Sequence, residues 1–295
     1  MANIFDYLKD VAYDSYYDLP LNELDILTLI EITYLSFDNL VSTLPQRLLD
    51  LAPQVPREPT MLTSKNRLQL LDELAQHKRF KNCKLSHFIN DIDPELQKQF
   101  AAMTYRVSLD TYLIVFRGTD DSIIGWAVYT FDAPGLHQEL TQTAGYQRIM
   151  DRSKIFIPQG SIIGMMLEIP AHQIIVQSTA LGGIAQHDTF SWQIEDKHFV
   201  QLDKTNSDSR QVDTTFKEWV ATVPDEELQL YFDLFFGTIL DAGISSINDL
   251  ASLKALEYIH HLFVQAQSLT PEERETLGRL TQLLIDTRYH AWKNR

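Results

Sequence analysis

The chain has 295 residues, with 25 Lys+Arg against 40 Asp+Glu and a formal net charge of −15 at pH 7. Its 44% hydrophobic and 22% charged residues are those of a globular protein with a core, and the acidic balance excludes nucleic acid and anionic membrane surfaces as partners by long-range repulsion. A single cysteine, Cys83, rules out an internal disulfide, no apolar stretch reaches the roughly 18 residues of a membrane span, and the first residues carry no basic leader; a cytoplasmic protein is expected.

The N-terminal third reads as helical. Asn22 is a candidate N-cap, and Leu24, Leu27, Ile30 and Leu35 recur at helical spacing. Pro45, Pro53, Pro56 and Pro59 mark a loop, because proline breaks a helix and extends the residue before it. A further helix is predicted from about Ser64 to Lys78, and Asp93-Pro94 predicts the start of another short one.

From Met103 the apolar period becomes two. MTYRVSL and TYLIVFRG, separated by little more than Leu109-Asp110, predict a hairpin. AVYTF (127–131), KIFIP (154–158), QIIVQS (173–178), FSWQI (190–194) and HFVQL (198–202) are further strand candidates, the last two forming a hairpin across Glu195-Asp196-Lys197. Residues 135–152 are expected to contain a helix. After about Val212 the chain turns helical again. One helix opens at Pro224, a second from Asn248 carries Leu253, Leu256, Ile259 and Phe263, and a third opens on the capping box Thr270-Pro271-Glu272-Glu273. The layout predicts one α/β domain over 1–295, with a helical part at 1–100, a sheet core at 101–212 and a helical part at 213–295.

Three strand ends carry the candidate chemistry. Arg117-Gly118-Thr119-Asp120-Asp121 ends an apolar strand in glycine, a hydroxyl and two acids. Such an end can present backbone N–H groups to a developing oxyanion, or be an ordinary turn with solvated acids. Asp132 follows AVYTF and either orients a histidine or accepts N–H bonds in its own turn. Of nine histidines, His187 and His172 are the two in loops between strand candidates. Either is a candidate base, or a surface side chain. Glu257-x-x-His260 occurs once, whereas a di-iron bundle needs two copies. There is no zinc spacing, no G-x-G-x-x-G and no Walker loop, so no metal or cofactor is expected.

LIVFRGTDD resembles the oxyanion-strand motif of the class 3 lipase branch of α/β hydrolases. VYTFDAPG resembles the strand that usually reads TFGAP there, IFIPQGSIIGMM the strand and loop that normally supply the acid, and QHDTFSW the loop that supplies the histidine. In this order the chain resembles a bacterial family of uncharacterised predicted hydrolases related to those lipases. The resemblance implies an α/β-hydrolase-like sheet with helical additions at both ends, and a serine hydrolase acting on a small acyl ester or lipid. It assigns the oxyanion hole to Gly118 and Thr119 and the general base to His187. Ser161 stands at the usual acid position, which leaves Asp132 as the candidate orienter in place of a glycine.

The nucleophile elbow G-x-S-x-G is absent. It belongs between FRGTDDSIIGW and AVYTFDAPG, and those segments abut at Trp126–Ala127. Parallel strands need a crossover of about a dozen residues or more, and a βαβ unit roughly 30, so a strand, the elbow and its helix are expected to have been lost, either from this polypeptide or only from its recorded sequence. The glycine count of 11 fits that loss. The chain is then a lipase-like hydrolase without its nucleophile, or a non-catalytic binding or regulatory protein on the same scaffold. The amphipathic C-terminal helices suit a lid or a homo-oligomer surface.

Overall fold

Two asparagines start the N-terminal helices. Asn3 caps α1 (Ile4–Val11) and Asn22 caps α2 (Glu23–Thr33), and in both an aspartate at the third helical position bonds back to the cap N–H, completing a capping box. The Asn22 side-chain oxygen accepts from the N–H groups of Leu24 (2.9 Å) and Asp25 (3.1 Å). Asn22→Ala should therefore cost about 1 kcal/mol of stability, read as a lower urea midpoint. An unchanged midpoint would show that the cap is dispensable.

The computed structural model describes residues 2–57, 64–93, 98–117, 128–136, 138–166, 168–169, 172–181, 185–224, 226–231, 233–234 and 267–293. After α2 come β1 (Gln46–Arg47), α3 (Leu48–Leu51) and α4 (Ser64–Gln76), then β2 (Lys84–Asp93), β3 (Lys98–Arg106) and β4 (Tyr112–Arg117). These strands form an antiparallel sheet in the order β1-β2-β3-β4, with Met103 opposite Val115 in the expected β3–β4 hairpin. The helix expected from Asp93-Pro94 is not found at its first residue: β2 runs through Asp93, and 94–97 lie outside the described residues. Among the described residues, the helical part expected at 1–100 thus also holds β1, β2 and the start of β3. Between Ser86 and Ile89 the β2 register shifts, and His87 takes a left-handed φ of 53°, the mark of a bulge.

The second sheet has the order β10-β7-β6-β5, from β5 (Val128–Phe131), β6 (Ser153–Pro158), β7 (Gln173–Val176) and β10 (Gln201–Leu202). β5, β6 and β7 are parallel, and β10 is antiparallel to β7. Two short helices, α5 (Gln138–Thr141) and α6 (Ala144–Met150), make the crossover from β5 to β6, where a helix is expected. FSWQI is strand only at its end: Thr189–Ser191 forms a 3-10 turn because the Asp188 side chain accepts from the N–H of Phe190. The hairpin across 195–197 is present as β8 (Ile194–Glu195) and β9 (His198–Phe199), and Asp196 and Lys197 both have positive φ, as its tight turn requires.

One apolar core serves both sheets. Leu24, Leu27, Leu29 and Ile32 of α2 pack with Leu70, Leu71 and Leu74 of α4, Met103 and Tyr105 of β3, Val115 of β4, and Phe156 and Val176 of the second sheet. Among the described residues, β4 and β5 each pair on one side only.

The helical C-terminal part begins at Ser207 with α7 (Ser207–Thr222). A helical stretch at 226–231 and α8 (Pro271–Lys293) follow. The Thr270 hydroxyl accepts from the N–H of Glu273 (3.3 Å) while the Glu273 carboxylate accepts from the N–H of Thr270 (2.8 Å), as the capping box predicts. Trp219, Val223, Leu228, Tyr231 and Leu280 make a separate small core. The helix expected from Asn248 lies outside the described residues. No helix among the described residues is long and apolar enough to cross a membrane.

Candidate functional site

Asp132 is the first residue after β5, fully buried, with φ of 52°. An L-residue rarely takes this conformation, but aspartate does so more readily than most. The turn aims the carboxylate across the carboxyl ends of the parallel strands. Asp132 Oδ2 lies 2.9 Å from His187 Nδ1. A carboxylate only accepts, so Nδ1 carries the proton and the lone pair of the neutral ring sits on Nε2. The His187 side chain is 39% exposed while that of Asp132 is sealed, so the pair has a dry orienting end and a working end open to solvent.

The other carboxylate oxygen, Oδ1, is filled by two donors from the loop after β6. The Ser161 hydroxyl donates to it at 2.5 Å and the Gly164 N–H at 3.0 Å. Gly164 is there because nothing larger fits: an added Cβ would lie 2.3 Å from Asp132 Oδ1 and 2.6 Å from Ile157 Cγ2. The Ser161 carbonyl in turn accepts from the Ser209 hydroxyl at the start of α7, and the N–H of Asn206 donates to the Gln159 carbonyl (2.7 Å).

His187 closes a 3-10 turn, Ala185–His187, whose centre is Gln186, buried and held by three hydrogen bonds. Gln186 Oε1 accepts from the Gly160 N–H (2.7 Å), its Nε2 donates to the Ala180 carbonyl (3.0 Å), and its own carbonyl accepts from Trp192 Nε1 (2.8 Å). Behind both arms lies an aromatic cluster. Phe131, next to Asp132, stacks on Phe156 with centroids 5.2 Å apart, and Phe199 bridges Phe156 and Trp192. This packing fixes the two backbones that carry the pair.

The histidine loop is also tied to the helical layer. The Thr189 hydroxyl donates to Glu31 of α2 (2.6 Å), and Arg67 of α4 donates to the same carboxylate (2.9 Å). Burial, with Glu31 nearby adding to it, pushes the Asp188 carboxyl above its ordinary range against the lowering effect of the Phe190 N–H and Arg67.

Asp132 and His187 are therefore brought together. His172, the other loop histidine, is exposed just before β7 and forms no part of this cluster. Gly118, Thr119 and the Trp126–Ala127 junction lie outside the described residues. Among the described residues no group of three His, Cys, Asp or Glu is arranged to hold a metal ion. Cys83 is no substitute nucleophile, because burial pushes its thiol up to about 12. Ser161 and Gln186 were not predicted as parts of the site, although both lie inside the quoted motifs.

A family model, Mbeg1-like, matches residues 74–128 and 127–237, more than half of the chain. The chain belongs to the Mbeg1-like family. This family is related to lipase-like proteins, and its match covers β2, β3, β4, all of the second sheet and α7, and so Asp132, Ser161, Gly164, Gln186 and His187, while Glu31 and Arg67 precede it. The two matched pieces meet at 127–128. No curated protein and no solved structure matches the chain.

Proposed function

We propose that Asp132 and His187 are the acid–base half of a carboxylic-ester hydrolase site on an α/β-hydrolase-type scaffold, and that this chain lacks the serine that would complete it. The observation that carries this reading is the 2.9 Å bond from the sealed Asp132 carboxylate to the solvent-open His187 ring. Asp132, the Ser161 loop and the His187 loop all follow the carboxyl ends of parallel strands, where open α/β sheets hold their ligands. The lipase-like family relation favours an acyl ester as the bound group.

Three observations support a missing nucleophile segment: no G-x-S-x-G in the sequence, a family match in two pieces that meet at 127–128, and two sheets whose strands β4 and β5 each pair on one side among the described residues. With no elbow serine, the chemistry left to the pair is general-base hydrolysis by water. His187 Nε2 takes a proton from water as its oxygen adds to the acyl carbon, and the imidazolium returns the proton to the departing alkoxide. Asp132 holds the tautomer and steadies the cation. Gly118 and Thr119 are assigned the oxyanion by the resemblance alone.

The test combines a panel of short activated acyl esters with a fluorophosphonate probe. The expected result is slow turnover that falls toward the buffer rate in His187→Ala, a loss of about 10²-fold or more, and no covalent labelling. Equal rates for the native protein and His187→Ala would end the hydrolase reading and leave a binding protein. Stoichiometric labelling of a serine would end the claim that the nucleophile is missing.

A further inference from the structure

We infer that Ser161 and Gln186 are positioning residues that select the working tautomer of His187 by closing a hydrogen-bonded ring around the pair. The inference rests on the acid–base reading above and goes beyond it, because neither side chain bonds to the imidazole itself: Ser161 bonds to Asp132, and Gln186 to Gly160 and Ala180. The ring can be followed atom by atom. From His187 Nδ1 it passes to Asp132 Oδ2, from Asp132 Oδ1 to the Ser161 hydroxyl, along the backbone to the Gly160 N–H, across to Gln186 Oε1, and through one peptide back to His187.

Each member removes one freedom. A carboxylate has two oxygens and turns easily about its last bond. With Oδ1 held by Ser161 and Gly164, Oδ2 is the one left for imidazole, and its direction is fixed. A histidine ring has two nitrogens and two flips. Gln186 anchors the turn that carries His187 through three hydrogen bonds, so the ring meets Oδ2 with Nδ1 and leaves Nε2 outward. Gly160 is part of the device: a Cβ there would lie 2.8 Å from Gln186 Oε1 and 3.0 Å from Asn206 Nδ2, so any side chain would push the two loops apart. Ser161 and Gln186 are buried, at 0% and 5% exposure, so water does not substitute for either bond.

The readout is the His187 tautomer, measured by 15N NMR on the full chain with signals assigned against His187→Ala, together with kcat and KM for a short ester. In the native protein the neutral ring is expected to carry its proton on Nδ1. In Ser161→Ala and in Gln186→Met the Nδ1–H population is expected to fall toward that of free imidazole, which prefers Nε2–H. Turnover should drop about tenfold or more in kcat with KM unchanged. A folded variant of either kind that keeps the native tautomer overturns the proposal. Ser161→Cys and Gln186→Leu replace these variants wherever one does not fold, with the same outcomes. A native protein with no His187-dependent turnover would defeat the hydrolase reading, while the tautomer measurement would still decide for or against the ring.

Discussion

Arg79→Met is expected to lower the unfolding free energy by about 3–5 kcal/mol, a large share of the roughly 5–15 kcal/mol typical of a folded domain. Arg79 and Asp25 have no exposed side-chain surface, and they meet in two bonds, Nη2 to Oδ2 at 2.5 Å and Nε to Oδ1 at 2.8 Å. Burial works against the guanidinium charge, but the Asp25 carboxylate outweighs it and holds the Arg79 pKa above its ordinary value. Arg79 also donates to the carbonyls of Ser15, Leu19 and Pro20, while the Tyr7 hydroxyl donates to Asp25 at 2.7 Å. Removing the cation therefore leaves a buried carboxylate uncompensated and takes the Arg79 donor from the Leu19 and Pro20 carbonyls, while the Ser15 carbonyl keeps the N–H groups of Asp18 and Leu19. The paired change Arg79→Met with Asp25→Leu should recover much of the loss, because both desolvated charges then go together. Urea titration at neutral pH measures both variants. A loss under about 1 kcal/mol in Arg79→Met would mean that the pair is a surface-type bridge in energetic terms.

Gly164→Ala should disable the site and destabilise the fold together. The new methyl group would lie 2.3 Å from Asp132 Oδ1, 2.6 Å from Ile157 Cγ2 and 3.0 Å from Ser161 Oγ. Ile157, on β6, is fully buried beside Ile155 and Ile175, so the methyl group is expected to displace the carboxylate. Overpacking of this kind costs about 1–3 kcal/mol, and displacing Asp132 from His187 should lower any His187-dependent turnover by about 10²-fold. Gly278→Ala on α8 is the matched control. Nothing lies within 4 Å of an added Cβ there, and the change should raise helix stability by about 0.5–1 kcal/mol. If Gly164→Ala and Gly278→Ala behaved alike in melts and ester assays, the close approach at Asp132 would have no energetic meaning.

The elements legible in the sequence are those whose own residues specify them. The cap at Asn22, the box at Thr270 and the alternation of 103–117 act over a few residues, and the structure contains each. Strand β2 was not legible because Lys84-Leu-Ser-His-Phe-Ile-Asn-Asp-Ile-Asp93 is rich in residues that strands disfavour; pairing with β3 imposes the strand on it. FSWQI misled in the opposite sense. Its aromatics read as strand, yet the Asp188 cap turns the first part and leaves Trp192 to fill the core.

In the site, Asp132 and His187 were legible because strand ends and interstrand loops are where such groups gather. Their supports were not. Ser161, lacking charge, stood out only as an unsuitable acid, and its value lies in donating to Asp132 across a separation of 29 residues. Gln186 has no chemistry of its own that a pattern could flag. Its role depends on the Gly160 N–H arriving beside it, a tertiary fact.

The start of α7 has a mechanical consequence. Through Asn206 and Ser209 it grips the strand-end loop by the carbonyls of Gln159 and Ser161, one bond away from the group that orients the histidine. α7 is the first member of the C-terminal helical assembly, so whatever tugs on that assembly tugs on the loop as well. A chain cut before Asn206 would therefore strip both carbonyls of these donors and slacken the loop that fills Asp132 Oδ1.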